Sequence, residues 1–199
     1  MRATVIRHED HDEAPWKNGL GGTREVTNAY RDDGTLVWRI SQTSVDSNGV
    51  FSNFAGCKRI IMVLKCPGMT LDFGVHGHAT LERPFDPVTF DGGWTTHVTL
   101  LGGPLTDFNV MTAQDMVTAK VNVLRGGEGS LDLVHTECVI FFHVLEGACD
   151  ATGYSLDTTL VAGETLRADS EAWQGHAVDQ APDTTIYRTA IRSGLQKEQ

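Results

Sequence analysis

Arg59-Ile60-Ile61-Met62-Val63-Leu64-Lys65-Cys66-Pro67-Gly68 and Val139-Ile140-Phe141-Phe142-His143-Val144-Leu145-Glu146-Gly147 are the stretches that decide the fold. Each is a short apolar run, rich in β-branched or aromatic residues and closed by a glycine, which is how a buried strand entering a tight turn reads. Each is followed by a short polar strand and later by a Gly-containing turn. That turn is Phe90-Asp91-Gly92-Gly93 in the first half and Val161-Ala162-Gly163-Glu164 in the second. A pattern that returns in this way implies two copies of one β-barrel unit, with the seam near residues 113–117.

Outward from these runs the chain keeps the same character. Further strands are predicted at residues 4–7, 23–30, 36–43, 58–65, 69–73, 97–101, 107–111, 118–124, 138–145, 158–161 and 184–191. Long helical periodicity is missing, and glycine, Asn and Asp punctuate the runs. Asn48-Gly49 tolerates the positive φ angles of a two-residue turn, so a hairpin is expected between residues 42–45 and 50–54. Many short strands at regular spacing point to an all-β sandwich or barrel.

Bulk properties narrow the function classes. The chain has 199 residues, 40% of them hydrophobic, enough for a real core in one large domain or two small ones. A net charge of -10 argues against nucleic acid and against anionic lipid as the main partner. The N-terminus meets an acidic cluster before any apolar core, so no secretory signal is read there. The best apolar run, 138–145, is interrupted by His143 and is too short to span a bilayer. A cytoplasmic location with reduced thiols is expected. Cys57, Cys66, Cys138 and Cys149 contain no Cys-x-x-Cys pair, so neither a zinc ribbon nor a redox motif is present.

The candidate site begins at Pro15-Trp16-Lys17-Asn18-Gly19-Leu20-Gly21-Gly22-Thr23-Arg24-Glu25-Val26. An aromatic wall beside several hydrogen-bonding groups is the mixture that lines small-ligand pockets. The same letters also suit a capped loop leading into a strand, with Trp16 as a core plug. The glycine run is no phosphate loop, because it lacks the Lys-Ser/Thr ending and a following helix. Three further segments carry similar mixtures: Trp38-Arg39-Ile40-Ser41, Phe51-Ser52-Asn53-Phe54-Ala55-Gly56-Cys57-Lys58-Arg59, and Asp107-Phe108-Asn109-Val110-Met111. A fourth is Arg83-Pro84-Phe85-Asp86-Pro87-Val88-Thr89-Phe90-Asp91-Gly92.

In this order and spacing the segments, over roughly residues 13–112, resemble the HutD/Ves family. The second half resembles it in length and strand pattern. The resemblance implies a bicupin: two stacked cupin-like β-barrels of jelly-roll type, here residues 1–115 and 116–199. It also implies an association with bacterial histidine utilisation, in a sensing or limiting role. No catalytic signature comes with the family, and no cofactor is expected. The Trp-Lys-Asn-Gly-x-Gly form is closer to HutD than to Ves.

Strand alternation sorts the motif side chains by face. Arg39, Ser41 and Thr43 oppose Trp38 and Ile40. Asp107, Asn109 and Met111 oppose Phe108 and Val110, while Thr23, Glu25 and Thr27 oppose Arg24 and Val26. Arg24, Arg39 and Arg59 are suited to planar recognition of a carboxylate. Glu25, Asp107 and Asn109 would hold the guanidinium groups or bind an amine or imino group. The expected ligand-binding set is Trp16, Asn18, Thr23, Arg24, Glu25, Trp38, Arg39, Ser41, Phe51, Ser52, Arg59, Asp107, Asn109 and Met111. The expected partner is a small-molecule carboxylate such as urocanate, formiminoglutamate or formylglutamate. The other reading of the arginines is ordinary surface ion pairs.

Two alternatives stand beside this. His76-Gly77-His78-Ala79-Thr80-Leu81-Glu82 has the His-x-His-x3-Glu form of metal-binding cupins, and on one strand face it would hold iron, manganese or nickel for a dioxygenase or isomerase. Against it, the partner histidine of the next motif is absent from residues 83–93. His8, His11 and their acidic neighbours read as a solvated loop, and His143 as a hydrogen-bonded core residue. The third reading is a protein-interaction module. Dimerisation through an exposed sheet face stays open.

Overall fold

Period-two alternation and glycine corners leave little room for anything but short strands. The computed structural model describes residues 3–16, 21–65, 67–126, 138–153, 156–169, 177–180 and 183–193. The chain opens with β1 (Ala3–Ile6), β2 (Asp12–Pro15), β3 (Gly21–Tyr30), β4 (Leu36–Val45) and β5 (Gly49–Val50). There follow β6 (Cys57–Val63), β7 (Met69–Asp72), β8 (His78–Leu81), β9 (Val88–Asp91), β10 (His97–Leu100) and β11 (Leu105–Ala113). The second half carries β12 (Val117–Arg125), β13 (Cys138–Glu146), β14 (Ala148–Gly153), β15 (Leu156–Val161), β16 (Thr165–Asp169), β17 (Ala177–Gln180) and β18 (Thr185–Ser193). Helix among the described residues is confined to single 3-10 turns at His8–Asp10 and Gly74–His76. No helix among them is long and apolar enough to cross a membrane.

The chain divides into two compact units, one formed by His11–Val117 and the other by Met1–Asp10 with Thr118–Gln199. Strand β1 therefore belongs with the later half of the chain, where it pairs β16 from Ala3↔Ala168 to Ile6↔Thr165. The sequence reading had placed these first residues with the earlier half. In the first unit a six-stranded sheet, ordered β2-β3-β4-β11-β6-β9, packs on a four-stranded sheet, β5-β10-β7-β8. In the second unit a five-stranded sheet, β1-β16-β13-β18-β12, packs on a three-stranded sheet, β15-β14-β17. The sheets are open at their edges and do not close into continuous barrels.

The internal echo becomes a strand-for-strand match. Strand β6 lies between β11 and β9, with β4 beyond β11; β13 lies between β18 and β16, with β12 beyond β18. Likewise β7 lies between β10 and β8, as β14 does between β17 and β15. The two glycines that close the repeated runs are both left-handed, Gly68 at φ +96° and Gly147 at φ +74°. One element of the echo shifts. The counterpart of the Gly163 turn is the β8–β9 connection, not the Gly92-Gly93 turn. Gly163 N–H donates to the Val144 carbonyl at 2.8 Å, and Phe85 N–H donates to the Val63 carbonyl at 2.9 Å. Phe85 there holds φ +69° where the second unit has Gly163 at +91°.

The Asn48-Gly49 hairpin does not form. Strand β4 pairs with β3 and β11, whereas β5 pairs with β10. The chain crosses from the large sheet to the small one at this point, so both Val45 and Phe51 enter the first core. The Asn48 side chain accepts a hydrogen bond from the Leu100 N–H at 2.8 Å instead of supporting a turn.

A methyl group on Gly68 would lie 2.3 Å from the Leu81 carbonyl oxygen, and one on Gly147 would lie 2.9 Å from Thr184 Cα. Gly68→Ala and Gly147→Ala should each destabilise the protein by about 2 kcal/mol or more, combining left-handed strain with a backbone clash. Gly34→Ala, at φ +82° with open space around it, should lose only the conformational part, roughly 1 kcal/mol. Urea unfolding of the three variants checks this; equal losses would mean that the close approach is irrelevant.

Candidate functional site

The large sheet of the first unit sorts the motif residues by ladder position. Arg39, Met111, Arg59 and Phe90 stand side by side across β4, β11, β6 and β9. Two residues along, the row is Ser41, Asn109 and Ile61; two further, it is Thr43, Asp107 and Val63. Alternation puts these rows on one face, and Ile61, Val63 and Phe90 fix that face as the one turned to the core. Strand β3 adds Glu25 beside Ser41 and Thr23 beside Thr43. A bulge after Glu25 then shifts the phase, so that Asn28 comes beside Arg39 and Thr27 falls beside Ile40 on the other face. The polar faces run down the interior between the two sheets.

Most of the expected set converges here. Thr23, Glu25, Arg39, Ser41, Arg59, Asp107, Asn109 and Met111 share this face. Trp16 reaches it from the preceding loop, donating from Nε1 to Thr23 Oγ1 at 2.8 Å and meeting Phe51 edge-on with ring centroids 6.0 Å apart. Three residues lie elsewhere, and Asn18 lies outside the described residues. Ser52 is exposed, and Trp38 is buried on the opposite face. Arg24 is also on the opposite face, where its Nε donates to Glu13 Oε1 at 2.6 Å. It lines a separate open cleft of about 430 Å³ with Glu13, Gln42, Ser44 and Thr106.

Sequence reasoning missed the roles of Phe54 and Phe90, although both lay in the quoted segments. The Arg59 guanidinium is enclosed by three rings, 5.1 Å from the centroid of Phe51, 5.6 Å from Phe54 and 5.2 Å from Phe90. The Phe54 ring also lies 5.2 Å from the Arg39 guanidinium. The loop that carries Phe54 is tied down. Phe54 N–H donates to the Gly92 carbonyl and Gly92 N–H to the Cys57 carbonyl, each at 2.7 Å, and Asn53 Nδ2 donates to the Gly93 carbonyl at 2.6 Å.

The electrostatics of this interior are unusual. Burial lowers the Arg59 pKa to about 10, against the opposing charge of Asp107. Burial pushes the Asp107 carboxyl up to about 7, although the Arg59 charge and the Thr43 hydroxyl pull the other way. Arg59 Nε approaches Asn109 Oδ1 at 3.4 Å, Arg39 Nη2 donates to Met111 Sδ at 3.2 Å, and Arg39 Nε is 3.9 Å from Glu25 Oε2. Both Asp107 carboxyl oxygens, Ser41 Oγ and Arg39 Nε are buried without a hydrogen-bond partner among the described residues. Native interiors rarely leave such atoms unmet, and four of them lie on this one face.

A HutD family profile matches residues 8–186. The chain belongs to the HutD family. The structure of HutD from Pseudomonas fluorescens SBW25 superposes with a TM-score of 0.83 at 25% identity, covering 96% of this chain and 99% of that one. A Pseudomonas putida protein described as an uncharacterized 21.2 kDa protein in hutC 3'region is 38% identical over 127 residues. That alignment covers 61% of this chain and 64% of the relative, so the match spans less than two thirds of its length. A cupin 2 conserved barrel domain protein from Leptotrichia buccalis is similar in fold alone, with a TM-score of 0.56 at 11% identity over 92% of this chain and 96% of that one.

The metal reading attached to cupins does not fit the HutD residues present. Gly77, at φ +95°, breaks the stretch, so His76 and His78 do not share a strand face. His76 ends a 3-10 turn and stacks on Trp94 with centroids 4.3 Å apart, while His78 opens β8 beside Asp72. Glu82 is exposed beyond the end of that strand. Among the described residues no three His, Cys, Asp or Glu side chains gather as a metal would require. His143 is buried, its Nδ1 2.7 Å from Thr165 Oγ1, as a hydrogen-bonded core histidine should be.

The repeat supplies an internal control. With Val63 aligned to Val144, Arg59 corresponds to Ile140, Asp107 to Ile186, Met111 to Ala190 and Asn109 to Arg188. Ile140 and Ile186 belong to the second core. The buried arginine and aspartate are therefore additions to the fold in one copy, not requirements of it.

A carboxyl raised by folding binds its proton more tightly in the native state than in the unfolded chain. That contribution is complete below the ordinary value of 3.8 and is lost as pH rises through about 7. Between pH 4 and pH 8 the wild type should lose stability relative to Asp107→Asn, by on the order of 4 kcal/mol at most. Urea unfolding of both proteins at several pH values tests this; parallel pH curves would show that Asp107 has an ordinary titration.

Proposed function

We propose that this protein binds a small acidic metabolite inside its first unit and in that way senses or limits histidine utilisation. The observation that carries the reading is the polar interior of the first unit, where Arg59 and Asp107 stand at positions that Ile140 and Ile186 hold in the second. Membership of the HutD family and the relative in the hutC 3' region support the pathway.

Arg39 and Arg59 present planar guanidinium groups to an anion, in a place where water competes poorly. Phe51, Phe54 and Phe90 keep the Arg59 guanidinium in position and offer flat surfaces to a planar ligand. Ser41, Asn109 and Asp107 extend hydrogen-bonding capacity deeper along the same face. Urocanate, formiminoglutamate and formylglutamate each combine a carboxylate with a further polar nitrogen-bearing group. The cytoplasm, where such intermediates arise, is the expected site of action.

A thermal-shift panel of histidine, urocanate, formiminoglutamate and formylglutamate on EDTA-treated protein tests the proposal. A ligand that binds only the native state stabilises it by about 2.7 kcal/mol at a hundred times its dissociation constant. One of these compounds should raise the melting temperature. The shift should vanish in Arg39→Ala and Asn109→Ala and persist in Arg24→Ala, which alters the opposite face. The absence of any shift would overturn the reading.

A further inference from the structure

We propose that Asp107, with Ser41 beside it, forms a nitrogen-recognising subsite, so that the ligand is a carboxylate whose far end carries an N–H donor. This inference rests on the proposed binding function and narrows it. Arg39 and Thr43 are four residues apart on β4, about 13 Å along an extended strand. The arginines are rooted at one end of that span and Asp107, beside Thr43, at the other, with the Arg59 side chain reaching back as far as Asn109 Oδ1. A single molecule lying along the interior face therefore meets Arg39 at one end and the acid, with Arg59 between, at the other.

Three features make the acid end a site rather than a packing accident. Asp107 is 1% exposed and Ser41 is 0% exposed, neither side chain has a hydrogen bond of 3.5 Å or less among the described residues, and the Thr43 hydroxyl is the one neutral group that bears on the carboxyl. A fully buried carboxyl with acceptor capacity beyond what the Thr43 hydroxyl can meet is complementary to N–H donors and to nothing apolar. The second unit holds Ile186 at the same ladder position, so the geometry of the sheet does not call for an acid.

Isothermal titration of the full chain at pH 8, where the Asp107 carboxyl is largely ionised, distinguishes the outcomes. The probes are 3-(imidazol-4-yl)acrylate and 3-(2-furyl)acrylate, of nearly the same shape, the second having oxygen and C–H in place of the two ring nitrogens and so no N–H donor. The wild type should prefer the imidazole by roughly tenfold or more, because a site built around a hydrogen bond rejects an analogue that lacks it. In Asp107→Asn the preference should fall to about threefold or less while the furan still binds. Equal affinity of the wild type for both probes would overturn the subsite and leave the carboxylate pocket standing. Failure of both probes to bind would overturn the pocket and the subsite together. The wild-type comparison decides the matter even where the variant does not fold.

Discussion

A guanidinium and a carboxyl are held inside an apolar core, and the first unit is arranged around that fact. Burial opposes charge on Arg59 and on Asp107 alike, and each moderates the shift of the other. Neither group could remain there without a scaffold that restricts its alternatives. Strand β11 supplies it, being paired on both sides, to β4 and to β6, over most of its length. Three aromatic rings then take the place of water around the guanidinium, and the backbone ties between the Phe54 loop and Gly92 hold one of those rings in position. The six-stranded sheet thus acts as a rigid frame for side chains that a softer element would release to solvent.

The duplication separates what the fold needs from what the site needs. Both units place the same strands in the same order, and both build a core from alternate residues of their larger sheet. The first places a buried arginine and an acid where the second has Ile140 and Ile186. Fold likeness to cupins is therefore a poor guide to chemistry in this chain, because the histidines of the β7–β8 region do not assemble and the polar interior uses other residues. The two sheets enclose this face, and the residues on β4, β6 and β11 give it its polar character.

Much of this was legible in the sequence because strand geometry repeats every two residues. Arg39, Ser41 and Thr43 fall on one face by counting, as do Asp107, Asn109 and Met111, and the paired ladder joins the two sets. The repeated apolar runs likewise located β6 and β13. The failures occur where the count is interrupted. The bulge after Glu25 moves Thr27 off the interior face. Left-handed Gly77 turns a strand-like His-x-His into a turn followed by a strand. Asn48-Gly49 looked like a hairpin because turn chemistry is local, whereas the pairing of β5 with β10 is set by contacts some fifty residues away in sequence. β1 was assigned to the wrong half for the same reason: a swapped edge strand has no signature of its own.

Phe85 extends the argument to the backbone. A bulky residue at φ +69° is in a conformation that costs about 1–3 kcal/mol, and the second unit avoids the cost with Gly163. Phe85 is bonded through its N–H to Val63, and Val63 is the ladder partner of Asp107. The strained turn and the buried acid therefore meet at the same end of the same strand. Three departures from the easiest jelly roll, namely Arg59, Asp107 and Phe85, lie in one unit, and at each of the three the other unit has the unstrained or apolar alternative. Their concentration in one unit marks positions where that unit departs from what the fold itself needs.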